Sequence, residues 1–169
     1  MAENVRARDL ALTDFASVDQ SDRIAVALTM LIEVQGHEHR PKALIVHDGN
    51  GGFVGMLSAR LLARVLVAEW SPSADDLGEA ALETELLAAV RARLDLSVGE
   101  VLLRDLPQVA PDARLLEMIR ATCERRIEYL AVVEDGRPFG LVPVTAIFQA
   151  TASLALTPDD EGIRFDQDA

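Results

Sequence analysis

The chain carries one pattern twice, and that repetition limits its folds more than any other feature. The first half runs "SVDQSDRIAVALTMLIEVQG", "KALIVHD", "GNGG", "FVGMLS" and "ARLLARVLVAEW". The second runs "PQVAPDARLLEMIRATCERR", "EYLAVVED", "GRP", "FGLVPV" and "TAIFQATASLAL". In each half an apolar stripe of helical period gives way to two short apolar runs separated by turn residues, and then returns to helical period. The expected order is therefore helix, strand, turn, strand, helix, twice over. In the first copy Ile24, Ala27, Leu28 and Leu31 share a face, Ser21 or Asp19 can cap the helix, and Gly36 stops it. In the second, the helix starts at Pro111 and Asp112. Overlaying the copies places Arg23–Ile24 on Arg114–Leu115, Leu44–Asp48 on Ala131–Asp135 and Gly55 on Gly140. Two short strands cannot bury a face alone, so the copies are expected to pack on each other.

A different stretch lies between them. Ser71 to Ser73 reads as a break, followed by an amphipathic helix with Leu82, Leu86, Leu87, Val90 and Leu94 on one stripe. Glu79 and Glu83 lead and Arg91 and Arg93 follow, as the helix dipole favours. This stripe packs either on the repeat core or against a second subunit. The division expected is a first repeat at 1–70, a linking segment at 71–96, a second repeat at 97–156 and an acidic tail at 157–169.

The glycines of "ALIVHDGNGGFVGMLSARLL" invite comparison with phosphate-binding loops. Gly49, Gly51, Gly52 and Gly55 fit neither G-x-x-x-x-G-K-[ST] nor G-x-G-x-x-G, and the loop joins two strands instead of a strand and a helix. Turn chemistry explains the first three, with positive φ available to glycine. Gly55 and Gly140 are positions where a missing side chain permits close approach of another backbone.

Charge narrows the partners. With a net charge of -12, the surface offers no broad Lys/Arg field for nucleic acid, nor for an anionic membrane. Cys123, the one cysteine, can form no internal disulfide, which suits a reducing, cytoplasmic setting. It follows Leu115, Leu116 and Ile119 at helical spacing and is expected to be a small buried hydrophobe. The first residues, "MAENVRARDLALTDF", lack the apolar core of a signal peptide, and no apolar run reaches membrane-spanning length. His37, His39 and His47 lie close in sequence, but nothing fixes a ligand geometry, so a solvated loop is expected. Asp75–Asp76 and Asp159–Asp160 fall in surface breaks, where pKa tuning for acid–base work is absent. Ser58 near His47 has no nucleophile elbow or orienting carboxylate. Enzymatic activity is not expected.

The second copy, "SVGEVLLRDLPQVAPDARLLEMIRATCERRIEYLAVVEDGRPFGLVPVTAIF", resembles a CBS domain. Its matching features are the "V-x-P-D/N" helix start, an "R-I-x-x-L-P-V-V-D" strand and a "G-I-V-T/S-x-x-D-I/L" strand-to-helix join. The first copy matches more loosely through "FASVDQSDRIAVALTML" and "ALIVHDGNGGFVGMLSARLLARVL". A tandem pair of this kind, a Bateman module, implies an α+β fold. Two β-α-β-β-α repeats pack with pseudo-twofold symmetry, here linked by an extra helix, and form two related clefts. The resemblance further implies a regulatory module rather than an enzyme, often a homodimer, acting on an attached or partner enzyme or transporter. In many members the clefts bind adenosine derivatives, so AMP, ATP or a relative is the implied ligand, with no resident cofactor or metal.

In the family's nucleotide-binding copies a Thr or Ser after "G-I-V" holds phosphate, and an Asp three residues later holds the ribose. Ser58 matches the first of these, but Leu61 stands at the Asp position; in the second copy Pro143 and Ala146 replace both. A charge-assisted hydrogen bond lost there is worth roughly 1.5–3 kcal/mol, about ten- to hundredfold in affinity. The candidate ligand-binding residues are Lys42, Ser58, Arg60, Tyr129 and Thr145. Lys42 could meet a phosphate or carboxylate. Tyr129 could stack on a base or hydrogen-bond. Arg60 and Thr145 open helices whose N–H groups favour anions. The competing reading is an interaction or dimerisation module with vestigial clefts.

Overall fold

The structure, a computed structural model, describes residues 4–68, 70–71 and 78–157. Each half builds a three-stranded sheet with helices on one face. In the first half these are β1 (Ala16–Asp19), α2 (Ile24–Gln35), β2 (Ala43–His47), β3 (Phe53–Ser58) and α3 (Ala59–Val67), preceded by a single turn, α1 (Ala7–Leu10). In the second they are β4 (Gln108–Val109), α6 (Leu115–Cys123), β5 (Tyr129–Glu134), β6 (Arg137–Pro143) and α7 (Val144–Leu156). Another turn, α5 (Val98–Val101), precedes them, and α4 (Glu79–Arg93) links the halves. The sheet orders are β1-β2-β3 and β4-β5-β6, the first pair of each parallel and the second antiparallel. This is the expected α+β architecture of two β-α-β-β-α repeats.

The central strands β2 and β5 are largely buried on both faces, which is why they read as unbroken apolar runs. Leu44 and Val46 face the helices of the first repeat, joining Ile24, Ala27, Leu31 and Leu57. Their neighbours Ala43 and Ile45 face the other sheet, where they meet Met56, Ala131 and Leu141. Leu130 and Val132 turn instead to Met118, Val142 and Ile147. Period-two alternation thus divides each strand between a helix layer and a shared inter-sheet layer.

The repeats also exchange their leading segments. Ala7 and Arg8 donate backbone hydrogen bonds to Ala113 and Pro111 at 2.9 Å, while Val98 and Gly99 donate to Asp22 and Gln20 at 2.8 Å. Each turn that precedes one repeat therefore completes the helix start of the other. Ile24 and Ala25 N–H groups, which an isolated helix would leave unpaired, donate to Leu96 and Leu94.

Several expectations change. The helix expected across "SVDQSDRIAVALTMLIEVQG" is a strand, then a turn, then a helix starting at Ile24. Asp19 Oδ1 accepts from both the N–H and the hydroxyl of Ser21, so these residues build the turn instead of capping the helix. Likewise α6 starts at Leu115, after β4. The overlay slips by one in the central strands. Ala43 pairs with Ser58 and Tyr129 with Pro143, so Leu44 corresponds to Leu130, not Ala131. Cys123 is exposed, because it ends α6 away from the face centred on Met118. The stripe on α4 is only half covered: it lies against α3, Leu94 packs on the first core, and Leu87 stays exposed. Apart from Ser71, the break at Ser71–Ser73 lies outside the described residues. So do Asp75–Asp76, Asp159–Asp160 and the tail beyond 157. Among the described residues no helix is long and apolar enough to cross a membrane.

Candidate functional site

Where the two repeats meet, the starts of β2 and β5 and the N-termini of α3 and α7 surround an open hollow of about 360 Å³. Lys42, Tyr129 and Thr145 line it, together with Gln35, Ala59, Glu128 and Pro143. By the strand register, Lys42 is the counterpart of Glu128, and Arg60 that of Thr145. Lys42 and Glu128, corresponding positions of opposite charge, thus both line the hollow with Thr145, whereas the sequence candidates Arg60 and Ser58 are not among its lining residues.

Tyr129 is the strut. Its ring belongs to the inter-sheet core, and its hydroxyl accepts the Lys42 backbone N–H at 2.8 Å. The Lys42 ammonium points back to the C-terminus of α2. It donates to Val34 O at 2.9 Å, to Gln35 O at 3.2 Å and to His37 O. A cation there adds a donor to the carbonyls that close the helix and complements its dipole.

Ser58 caps α3: its Oγ accepts from Leu61 N at 3.3 Å, and the side chain is buried. Arg60 Nε lies 3.5 Å from Glu128 Oε1, both side chains partly exposed. The Glu128 carbonyl accepts the Val144 N–H at 3.0 Å, tying the start of α7 to the loop before β5. Leu61 is buried and Ala146 half-buried, so the two positions at which the resemblance implies a carboxylate are apolar.

The arrangement can bind but has few parts for chemistry. Two helix N-termini favour an anionic group, Tyr129 supplies a hydroxyl and a ring edge, and Glu128 supplies an acceptor beside Arg60. Glu128 and Gln35 were not among the sequence candidates. Glu128 adjoins Tyr129 in "RIEYL", and the one-residue slip in the overlay hid its correspondence to Lys42.

The glycine turn lies elsewhere. Asp48 Oδ1 accepts from Asn50 N and Gly52 N, both at 2.9 Å, and these bonds hold its carboxyl below the ordinary range. Gly51 has φ +80, and Asp135 and Gly136 have φ 50 and 75 in the matching turn. Phe53 N donates to Gly136 O at 2.7 Å, so the two turns touch. His47 Nδ1 lies 2.8 Å from Asp48 O and 3.7 Å from Asp19 Oδ2, while His37 and His39 are exposed. Among the described residues no three His, Cys, Asp or Glu side chains converge as a metal site.

The fold has many solved counterparts. A CBS domain pair/ACT domain protein from Thermotoga maritima is 22% identical, with 90% of this chain and 100% of that chain covered and a TM-score of 0.59. CBSX2 in complex with AMP is 20% identical over 89% and 98% of the two chains, with a TM-score of 0.61. The cytosolic domain of the Mg2+ channel MgtE in complex with ATP is 21% identical, with 87% of this chain and 49% of that one covered and a TM-score of 0.61. Comparison with curated proteins gives no match. The model of the CBS domain matches residues 7–68 and 98–153, more than half of the sequence. With both repeats matched and the paired sheets in place, the chain belongs to the CBS domain family.

Proposed function

We propose that the protein is a non-catalytic regulatory module that binds a small ligand in the hollow between its repeats. The carrying observation is the convergence of Lys42, Tyr129 and Thr145, from different repeats, on one open cavity. A ligand there touches both copies, so it favours whichever arrangement of the copies it fits best. Tyr129 and the N-terminus of α7, with Thr145, are its main contacts. Arg60 contributes once Glu128 releases it, and Ser58 acts by fixing α3. An adenine nucleotide such as AMP or ATP is the leading candidate, since CBSX2 and MgtE are described in complex with them.

We divide the chain into repeats at 1–70 and 97–156 with a linker and a tail, and place it in the cytoplasm as a homodimer serving a partner enzyme or transporter. Calorimetric titration of the full chain with AMP, ATP, NAD and S-adenosylmethionine tests the ligand. Saturable binding that weakens in Tyr129→Ala supports the reading; silence across the panel removes the adenosine ligands.

A second reading has an observation of its own. The Lys42 ammonium already serves α2, and Arg60 already faces Glu128. An interaction module with vestigial clefts would look this way, and it gains ground if the titrations are silent while the protein self-associates.

A further inference from the structure

The central hollow is lopsided in charge. The first repeat offers it Lys42, and the second, at the corresponding position, Glu128. The Lys42 ammonium is spent on three carbonyls at the end of α2. Ser58 Oγ is occupied as the cap of α3, and Arg60 is not part of the lining. The Glu128 carboxylate reaches toward Arg60 on α3, but 3.5 Å is longer than a well-made charged hydrogen bond, and the side chain is 41% exposed. Such a pair holds weakly, so Glu128 keeps lone pairs for another cation. A phosphate brought against it meets like charge, in a chain whose net charge is already -12. An ammonium is attracted instead.

Hydrogen-bond donors stand beside that carboxylate. Tyr129 follows Glu128 and pairs with Pro143 in the sheet, and the Val144 N–H donates to Glu128 O at 3.0 Å. These ties hold Glu128, Tyr129 and the start of α7 together. The Tyr129 hydroxyl accepts from Lys42 N and so keeps its own proton to donate. Thr145 adds a second hydroxyl at the hollow, and α7, unlike α3, has no side-chain cap. A place for a cation and a place for an anionic acceptor are therefore neighbours. A ligand that fills both carries an ammonium and a carboxylate on adjoining atoms, which is the head of an α-amino acid. Beyond Gln35 and Ala59 the hollow adjoins an apolar groove of about 170 Å³ between α2 and α3, walled by Leu28, Ile32, Leu62 and Leu66. An apolar remainder on the ligand suits that side.

We infer that the hollow recognises the head group of an α-amino acid, with Glu128 on the ammonium and Tyr129 and Thr145 on the carboxylate. The assignment rests on the preceding reading of the hollow as a ligand site, and on this chain's own residues it sets an amino acid head where AMP and ATP carry phosphate. Two sources supply such a head: a free apolar amino acid, or an adenosine derivative that bears one.

Calorimetry of the full chain with L-leucine, L-methionine, L-phenylalanine and S-adenosylmethionine, beside AMP and ATP, tests it. Saturable binding of at least one of the first four is expected, weakened at least tenfold by Glu128→Gln at an unchanged melting temperature. Glu128→Lys, which repeats the residue type of position 42, is expected to abolish it. For a free amino acid, the N-acetyl derivative and the decarboxylated amine are expected to bind at least tenfold more weakly, since each lacks one charge. Binding of S-adenosylmethionine alone assigns the head group to the adenosine source. Binding indifferent to Glu128→Gln rejects the assignment. Binding of AMP or ATP alone overturns it and leaves the regulatory reading standing, whereas silence of the whole panel overturns both.

Discussion

Gly55 and Gly140 occupy the same place in the two repeats, but their surroundings differ. A Cβ on Gly140 would lie 2.8 Å from the carbonyl oxygen of Leu12. That oxygen is held by Leu141 N at 3.1 Å, so it cannot retreat without breaking a pair. A Cβ on Gly55 would meet the Leu102 side chain at 2.9 Å, and a side chain can rotate. Gly140→Ala is therefore expected to cost about 1–3 kcal/mol in urea unfolding, and Gly55→Ala clearly less. Only the Gly140 half of the sequence expectation, a close backbone approach, holds as stated. Asp48 supplies a second test at this scale. Its carboxyl is depressed by N–H donors from Gly52 and Asn50, so its stabilisation is complete above the ordinary carboxylate range. It is lost as pH falls through the lower folded value, because protonation then accompanies unfolding. Asp48→Asn should flatten part of the acid limb of a stability–pH curve by lowering stability near neutral pH while leaving it little changed in acid.

At the scale of elements, the polar side chains at the hollow serve the helices first. Ser58→Ala removes the cap of α3 and is expected to cost about 0.5–2 kcal/mol. Lys42→Met removes the donors at the end of α2 and is expected to cost about 1 kcal/mol, measured as a shift in the unfolding midpoint. These elements also show what the sequence makes legible. The paired strands and their turns could be read because "ALIV" and "LAVV" are buried on both faces and Asp-Gly marks a turn. The α2 stripe and its stop at Gly36 were equally plain. Strands β1 and β4 were not visible in the residues alone, since "ASVD" and "QV" are too short to show a period and depend on pairing with β2 and β5. Only the family resemblance implied them. Of the site, Lys42, Tyr129 and Thr145 were candidates through the family resemblance, since the overlay of the copies was one residue out in these strands. The direction of the Lys42 ammonium could not be read, because it is set by the carbonyls of a helix end seven or eight residues earlier.

For the whole molecule, the exchange of α1 and α5 means that neither repeat contains its own complete core. Val98 and Leu102 belong to the core of the first repeat, and Ala7 to that of the second. A fragment ending at residue 71 would expose the Ile24 and Ala25 donors and lose those contacts. It is expected to show no cooperative thermal transition by circular dichroism, whereas the full chain unfolds in one step.

Gln35 and Ala59 form part of two walls at once, that of the central hollow and that of the α2–α3 groove. Anything that displaces them from one side is felt on the other. In the regulatory module proposed above, this shared wall would let a ligand in the hollow alter the outer groove, and a contact at the groove alter ligand affinity by the same factor, without a moving hinge.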